Sequence, residues 1–314
     1  MGNIAIAIHA GAGSLMTGTL APEREKAYHE KLSEALLAGY NLLSQGGNAV
    51  DAVEATVRIL EDSPLFNAGK GSVFNCDGVN EMDAAIMNGK NLKAGAVAEV
   101  HIIRNPVTAA KAVMENSPHV LLASHGAEEF AKEQKLEIVD PSYFFDEERH
   151  KQWLATKDSD NASWAGDVMP VPSGQSEKKH GTVGAVAIDS QGNLAAATST
   201  GGINNKKFGR IGDSPIIGAG TYANNKTCAV SCTGEGEFFI RNVVAYDISA
   251  QMEYKGFTVA QATTEVMKKI AQTGGEGGLI ALDNQGTISA PFNTSSMFRG
   301  WIDTKGEKYT GIFR

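Results

Sequence analysis

The chain has 314 residues, of which 42% are apolar and 20% are charged, a composition that predicts a globular protein with a large core in one big domain or two smaller ones. Its formal net charge of -8 at pH 7, without a long Lys/Arg run, argues against a nucleic-acid partner or a membrane-surface partner. No apolar stretch reaches membrane-spanning length, so we expect a cytoplasmic protein that acts on a small polar molecule.

The first half of the chain predicts strands and helices in alternation. A short apolar run at residues 4–8 has no basic region before it, which is typical of a strand rather than a signal peptide. Residues 9–13 follow as a predicted turn. Apolar residues at helical spacing predict two long helices, and a proline suits the first turn of a third. The predicted strands cover residues 3–7, 82–87, 95–101 and 120–123, and the predicted helices cover residues 22–44, 49–61, a segment after 106, and 126–133.

The second half predicts strands on both sides of paired helices. Turn sequences at residues 189–192 and 283–286 each join two strand-like runs, which is the pattern of hairpins. The alternation indicates stacked antiparallel sheets between helical layers, although the apolar pattern alone supports either an α+β or an α/β class. The predicted strands cover residues 182–188, 193–200, 216–219, 227–233, 279–283, 288 and 297–301, and the predicted helices cover residues 237–252 and 259–272.

The three cysteines predict no metal centre. Cys76, Cys228 and Cys232 lack zinc-like spacing. If residues 226–232 form a strand, Cys228 and Cys232 lie about 13 Å apart, too far for a disulfide. Cys232 has no histidine near it in the sequence, so a cysteine nucleophile is disfavoured. We expect all three to be buried or reduced thiols.

A threonine follows a long polar segment and opens a strand-like run. Residues 155–180 are poor in branched apolar residues and rich in Ser, Asp, Lys, Gly and Pro, as expected of a mobile linker. A threonine hydroxyl is a weak nucleophile within a chain, but at a new N-terminus the free α-amino group, of pKa about 8, can act as its base. The sequence thus suggests cleavage between Gly181 and Thr182, although most strand threonines do no chemistry.

Further motifs extend this pattern along the chain. They are Leu65-Phe66-Asn67-Ala68-Gly69, Asn193 to Gly202 (NLAAATSTGG), Gly209 to Pro215 (GRIGDSP), Val230 to Glu237 (VSCTGEGE) and Pro291-Phe292-Asn293-Thr294. Together with the stretch from His180 to Val186, these motifs resemble the plant-type (type III) L-asparaginases, also called isoaspartyl or β-aspartyl peptidases, from His9 almost to Arg314.

The resemblance implies an α+β fold, the four-layered αββα sandwich of N-terminal nucleophile hydrolases. It also implies that residues 1–181 (α) and 182–314 (β), separated by autocleavage after a flexible linker at about 155–181, remain one domain. Two such αβ pairs are expected to associate as (αβ)2. The implied activity is that of an autoprocessing threonine amidohydrolase, which hydrolyses β-aspartyl dipeptides and L-asparagine to L-aspartate.

The resemblance assigns the chemical steps to four positions. Thr182 is the nucleophile twice, first toward the Gly181 carbonyl and then toward the substrate amide. Thr200 is the second threonine that hydrogen-bonds the nucleophile. Thr233 and Gly234 form the oxyanion hole, in which one donor is typically worth about 3 kcal/mol of barrier. Without the resemblance, residues 233–236 are an ordinary glycine-rich turn before a helix.

Four other positions are implied to bind the substrate. Arg210 offers a planar fork to the α-carboxylate, and Asp213 offers an acceptor to the α-ammonium. Gly236 contacts the same end of the ligand, and Asn67 orients the scissile group. Without the resemblance, Arg210 and Asp213 would be expected to form a surface salt bridge with each other, and Asn67 would be ordinary loop chemistry.

The resemblance implies no organic cofactor, but it implies a structural sodium ion held by a loop after the second helix. The expected ligands are the backbone carbonyls of Leu60, Glu61, Ser63, Phe66, Ala68 and Lys70.

Two positions depart from the common family pattern. Ala10 replaces a glycine in the His-Gly-Gly-Ala-Gly sequence, which predicts slower autocleavage. Glu235 stands where bacterial relatives often carry a small residue, and its charge is predicted to bias the choice of substrate.

Two alternative functions remain open. A glycosylasparaginase-like amidase of the same superfamily is disfavoured because the chain has no signal peptide. A nucleotide- or phosphate-binding α/β module could use residues 9–13 as a phosphate turn. That signal is weak because no Lys-Ser/Thr pair follows it.

Overall fold

A computed structural model describes residues 2–158 and 181–314. The strands within these residues are β1 (Ala5–Gly13), β2 (Met82–Asn88), β3 (Ala94–Val100), β4 (Leu121–Ala123), β5 (Val183–Ile188), β6 (Leu194–Thr200), β7 (Thr221–Ala223), β8 (Cys228–Gly234), β9 (Gly277–Asp283), β10 (Ile288–Ser289), β11 (Ser296–Ile302) and β12 (Lys308–Phe313). The α-helices are α1 (Pro22–Ser44), α2 (Ala49–Glu61), α3 (Pro106–Asn116), α4 (Ser124–Glu133), α5 (Glu147–Leu154), α6 (Gly236–Asn242), α7 (Val244–Lys255) and α8 (Val259–Gln272). Two short 3-10 helices cover Gly69–Gly71 and Pro141–Phe144. None of the helices in the described ranges is long and apolar enough to cross a membrane.

Two stacked sheets lie between layers of helices. The larger sheet has the strand order β12-β11-β1-β5-β6-β2-β3-β4, antiparallel except for the pair β3 and β4, and the smaller has the antiparallel order β10-β9-β8-β7. Helices α1, α2 and α3 pack against the larger sheet, and α6, α7 and α8 pack against the smaller one. The predicted α+β class and αββα sandwich are therefore confirmed.

Small side chains fill the space between the sheets. Alanines dominate this layer, and larger residues such as Met87 and Ile280 fill the remaining gaps. Because short side chains allow close approach of two backbones, polar groups of both sheets can meet across the interface. The buried alanines of this layer are Ala5, Ala7, Ala94, Ala196, Ala223 and Ala229.

The strongest sequence patterns give the most accurate elements. Helices α1, α2 and α8 begin and end at the predicted residues. The two predicted hairpins join β5 to β6 and β9 to β10. Both kinds of element have a local sequence signal. The helices have apolar residues at helical spacing between end signals, and the hairpins have a short turn that contains Asp and Gly.

Three predicted elements are wrong. Residues 9–13 are not a turn but the end of β1, because pairing with β11, joined at His9 by pairing with β5, overrides their glycine content, with an irregularity between His9 and Ala12. The predicted helix 237–252 breaks at Val243, whose φ is 48°, into α6 and α7. Residues 216–219 form no strand, since Ile217 makes only an isolated bridge to Thr221. Helix α5 and strand β12 are additional elements that the sequence patterns did not predict.

Both predicted pieces of the chain build the larger sheet. Strand β1, from residues 1–181, pairs with β5 and β11 from residues 182–314, and β2 pairs with β6. A cut at residue 181 would therefore leave the pieces joined by strand pairing, although the division itself stays a prediction. Of the predicted linker 155–181, residues 159–180 lie outside the described residues.

Candidate active site

Thr182 immediately precedes β5, and Thr200 ends the neighbouring strand β6. The antiparallel register pairs Val183 with Ser199, which brings the two threonines side by side. Thr182 Oγ1 donates a hydrogen bond to Thr200 Oγ1 at 3.2 Å, and the Gly202 N–H donates to the same Thr200 oxygen at 3.0 Å. The candidate nucleophile and its predicted partner therefore lie in contact.

Asn67 lies beside the predicted scissile bond. A Cβ atom added to Gly181 would stand 2.8 Å from Asn67 Nδ2, so this glycine leaves room for the amide. The amide is fixed at both ends, since Nδ2 donates to the Gly202 carbonyl at 2.7 Å and Oδ1 accepts from the Val73 N–H at 3.0 Å. Asn67 is therefore an oriented polar group at the bond between Gly181 and Thr182.

Thr233 and Gly234 end β8 in the smaller sheet. Thr233 is buried, and its Oγ1 accepts a hydrogen bond from the Ala12 N–H at 3.3 Å, which leaves the hydroxyl proton for another acceptor. Strand β1 pairs His9 with Gly184, so Ala12 lies beyond the start of β5, on the side of Thr182. Gly234 has a φ of 149°, and a Cβ there would stand 2.6 Å from Gly277 Cα, so this position requires glycine.

Arg210 forms a bidentate ion pair with Glu237. The distances from Nε to Oε1 and from Nη2 to Oε2 are both 2.9 Å. The pair holds the planar fork in one orientation and leaves Nη1 and a second Nη2 proton as further donors. The mutual salt bridge of Arg210 with Asp213, expected in the absence of a resemblance, is not formed between these two described side chains.

Asp213 is a buried carboxylate that lacks a full set of partners. Its side chain is 4% exposed, and Oδ2 has no hydrogen-bond partner among the described residues. Burial raises the pKa of Asp213 to about 7, while Arg210 acts to lower it and Glu237 acts to raise it. A Cβ on Gly236 would stand 2.9 Å from Asp213 Oδ1 and 3.0 Å from Arg210 Nη2. The bare backbone of Gly236 thus leaves space in front of both charged groups.

Two backbone carbonyls of the loop after α2 lie directly against glycines. A Cβ added to Gly69 would collide with the Glu61 carbonyl, and one added to Gly71 would collide with the Phe66 carbonyl. No cluster of three or more His, Cys, Asp or Glu side chains in the described ranges could hold a metal. The Glu61 carboxylate also accepts a hydrogen bond from Ser199 Oγ at 2.6 Å, which ties this loop to the strand that ends at Thr200.

The cysteines lie where their chemistry is suppressed. All three are free thiols, and Cys228 and Cys232 are buried. Burial raises the pKa of Cys228 to about 12 and that of Cys232 well above its usual value, so little thiolate forms near neutral pH. This agrees with the expectation that Cys232 does not act as the nucleophile.

Sequence reasoning missed Glu237 and His9 as parts of the site. Glu237 contacts Arg210 from 27 positions away, and no local pattern indicates that pairing. His9 was noted only as the start of a turn, although its ring contacts the Thr182 carbonyl. Glu235, predicted to affect substrate choice, instead accepts a hydrogen bond from the Glu276 N–H at 3.0 Å, and its influence on the substrate stays a prediction. Ala10 is fully buried in β1, and its effect on autocleavage is likewise untested.

The layered fold and the paired threonines define the class of N-terminal nucleophile hydrolases. The model of the family described as asparaginase matches residues 2–312, and the chain belongs to that family. The sequence resemblance is thereby confirmed.

Several relatives match the chain over all or nearly all of their length. The chain is 49% identical to the isoaspartyl peptidase of Salmonella typhimurium over 315 residues, covering 100% of both chains. It is also 49% identical to the isoaspartyl peptidase of Escherichia coli, covering 100% of this chain and 97% of that protein. Identity to the isoaspartyl peptidase/L-asparaginase of Homo sapiens is 40%, covering 99% and 96% of the two chains.

Replacing Glu237 with Gln should weaken substrate binding. The Gln amide presents a donor to Arg210 Nη2, so the fork loses one of its two bonds and its fixed orientation. We expect KM for a β-aspartyl dipeptide to rise by roughly three- to tenfold with a smaller change in kcat, as estimated from one charge-assisted hydrogen bond. Glu265→Gln, at an exposed position of α8 outside the site, is the matched control, and an equal rise in KM for both variants would contradict the assignment.

Binding of an amino-acid ligand should depend on the ionisation of Asp213. The carboxyl has a pKa raised to about 7, so it is protonated at lower pH and cannot balance an α-ammonium. We expect the inhibition constant of L-aspartate to increase by roughly tenfold for each pH unit below about 6. Asp213→Asn should bind weakly at every pH, whereas a flat wild-type profile between pH 5 and 7 would contradict this role.

Proposed function

We propose that the protein is an autoprocessing threonine amidohydrolase that hydrolyses β-aspartyl dipeptides and L-asparagine to L-aspartate. The observation that carries this proposal is the buried, incompletely paired Asp213 beside the oriented fork of Arg210, since together they match an α-ammonium and an α-carboxylate. The names of the relatives, isoaspartyl peptidase and isoaspartyl peptidase/L-asparaginase, support the substrate class.

Autoprocessing begins in the intact chain. Thr182 Oγ1 attacks the carbonyl carbon of Gly181, the bond from that carbon to the Thr182 nitrogen breaks, and the acyl group moves from nitrogen to oxygen. Water then hydrolyses the ester, which leaves a carboxylate on Gly181 and a free amine on Thr182. The fixed Asn67 amide beside Gly181 supports this step, because it orients the scissile group.

The freed amine then serves as the base of the nucleophile. It takes the Thr182 hydroxyl proton while Oγ1 attacks the β-carbonyl of the substrate, and the negative oxygen accepts hydrogen bonds from the Thr233 hydroxyl and the Gly234 N–H. The leaving amine takes the proton and departs as ammonia or as an amino acid. Water opens the acyl ester on Thr182 and releases L-aspartate.

Binding at the other end of the substrate determines its class. Arg210 binds the α-carboxylate and Asp213 binds the α-ammonium, so the β-carbonyl remains the group presented to Thr182. Gly236 keeps the approach open. The α and β pieces stay together after cleavage, which the larger sheet supports because both pieces contribute strands to it. Two αβ pairs then associate as (αβ)2. The cytoplasmic location stays a prediction.

A structural sodium ion is also part of the proposal. The proposed ligands are the backbone carbonyls of Leu60, Glu61, Ser63, Phe66, Ala68 and Lys70. Two of them, those of Glu61 and Phe66, lie against Gly69 and Gly71, and carbonyl oxygens suit a hard cation. The ion would order the loop that carries Asn67, and it takes no part in the chemical steps.

Neither alternative function is favoured by a specific observation. Residues 9–13 lie within β1 rather than in a loop that could surround a phosphate. A glycosylated asparagine remains a substrate to be assayed beside the β-aspartyl dipeptides.

Replacing Thr182 with Ala should abolish both cleavage and hydrolysis. The variant lacks the oxygen that attacks the Gly181 carbonyl and then the substrate. Intact-mass analysis of the wild type should give two fragments, the second beginning at Thr182, and the variant should give one full-length chain. Thr182→Ser is the matched control because it keeps the hydroxyl. Equal cleavage in Thr182→Ala would contradict the mechanism.

Sodium should raise the melting temperature of the protein relative to an equal concentration of choline. A ligand that binds only the folded state stabilises it by an amount that grows with its concentration. Gly71→Ala should lose the sodium dependence because its methyl group enters the carbonyl cradle. Gly126→Ala is the control, since nothing lies within 4 Å of its added Cβ. Identical wild-type melting in both salts would argue against the ion.

A further inference from the structure

A buried histidine links Thr182 to a row of hydroxyl groups between the two sheets. His9 is 0% exposed, and its Nδ1 lies 3.1 Å from the carbonyl oxygen of Thr182. On the other side of the ring, Nε2 lies 2.8 Å from Ser231 Oγ. Ser231 is 2.7 Å from Thr198 Oγ1, which in turn is 2.6 Å from Thr221 Oγ1. The row crosses from β1 in the larger sheet to β8 in the smaller one and back to β6.

The chemistry of the groups fixes the direction of these hydrogen bonds. A carbonyl oxygen only accepts, so His9 Nδ1 carries the proton that is donated to Thr182. Burial lowers the pKa of His9 to about 3, which keeps the ring neutral and leaves Nε2 as an acceptor. Ser231 therefore donates to His9, and Thr198 donates to Ser231. Every proton in this row points toward Thr182.

A glycine of the threonine motif makes room for the row. Gly184 is the strand partner of His9, so a side chain at this position would point to the same face as the imidazole. A Cβ there would collide with Ser231 Oγ and lie 2.5 Å from His9 Nε2. The contact between histidine and serine therefore requires glycine two positions after Thr182.

We propose that His9 is a positioning residue for the nucleophile, and that the hydroxyls of Ser231, Thr198 and Thr221 hold His9 in the Nδ1-protonated tautomer. Thr182 lies outside β5, which begins at Val183. After the proposed cleavage it also has no peptide bond on its N-terminal side. The hydrogen bond from His9 then fixes the plane of the peptide group between Thr182 and Val183, and with it the position of the Thr182 Cα atom that carries both the amine and the side chain. This inference rests on the proposed function.

The hydroxyl of Thr198 offers an isosteric test. Thr198→Val removes the hydroxyl and keeps the shape, whereas Thr198→Ser keeps the hydroxyl and removes a methyl group. We expect the Val variant to reduce kcat and the rate of autocleavage by roughly 5- to 50-fold with KM within about twofold, because the hydrogen bonds with Ser231 and Thr221 and some orientation are lost. The Ser variant should retain most of the activity.

A second buried hydroxyl pair provides the control. Thr227 Oγ1 lies 2.6 Å from Ser249 Oγ, outside the row that leads to Thr182. Thr227→Val should lower the melting temperature about as much as Thr198→Val does, but it should leave kcat unchanged. Equal kcat in Thr198→Val and Thr198→Ser, or an equal loss in Thr227→Val, would overturn the proposal.

The tautomer is measured independently of catalysis. The uncleaved Thr182→Ala chain keeps the carbonyl of residue 182. In nitrogen NMR of this chain with labelled histidine, one ring should show a protonated Nδ1 and an unprotonated Nε2. That signal should disappear in a His9→Gln variant of the same chain, which assigns it to His9. Adding Thr198→Val should convert that signal to a mixture of tautomers. A protonated Nε2 in the starting chain, or no change on adding Thr198→Val, would overturn the proposal. If the wild type neither cleaves nor hydrolyses, the proposed function fails, and this measurement still decides the role of the row.

Discussion

The antiparallel pairing of β5 with β1 on one side and β6 on the other determines where the nucleophile and its nearest neighbours can lie. Thr182 is the residue just before β5, so its neighbours are set by register rather than by loop conformation. The pairing with β6 brings Thr200 to its hydroxyl, and the pairing with β1 brings His9 to its carbonyl. Sites on paired strands are held more precisely than sites on loops, because each ladder bond restricts the backbone on both sides.

The part of the site proposed to bind the substrate, Arg210 and Asp213, depends on a different kind of interaction. Its charges are incompletely paired until a ligand binds. A buried carboxylate without partners is costly, and the raised pKa of Asp213 is a measure of that cost. Arg210 relieves it only in part, through a charge attraction that acts to lower the pKa of Asp213, because Glu237 already takes two bonds of the guanidinium. An arriving α-ammonium would pair with Asp213, while the α-carboxylate would meet the remaining donors of Arg210. The site therefore discriminates in favour of ligands that carry both charges, since either charge alone would leave a buried group unpaired.

Sequence reasoning reached the elements with local signals and missed those that depend on distant contacts. Helices α1, α2 and α8 follow from apolar period and caps, and the hairpin at 189–192 follows from its turn residues. The glycines in the stretch from His9 to Gly13 predict a turn, yet its pairing with β11, together with the pairing of His9 with β5, makes it a strand. The break at Val243 carries no Gly or Pro signal. The candidate residues of the site came from motif resemblance, whereas Glu237 and Ser231 could be found only once distant strands and helices were placed together.

The division of the site between two sheets explains the composition of the layer that separates them. Thr182 and Thr200 come from the larger sheet, and Thr233 and Gly234 come from the smaller one, so the spacing of the sheets sets the distance between the nucleophile and the oxyanion donors. Alanines fill much of this layer, and longer side chains would push the sheets apart. The hydroxyl row from Thr221 to His9 crosses the same layer, where each polar group is satisfied by the next. A fully paired polar network in a tightly packed interface fixes the separation of the sheets more sharply than apolar contact alone, because a shift would break several hydrogen bonds together.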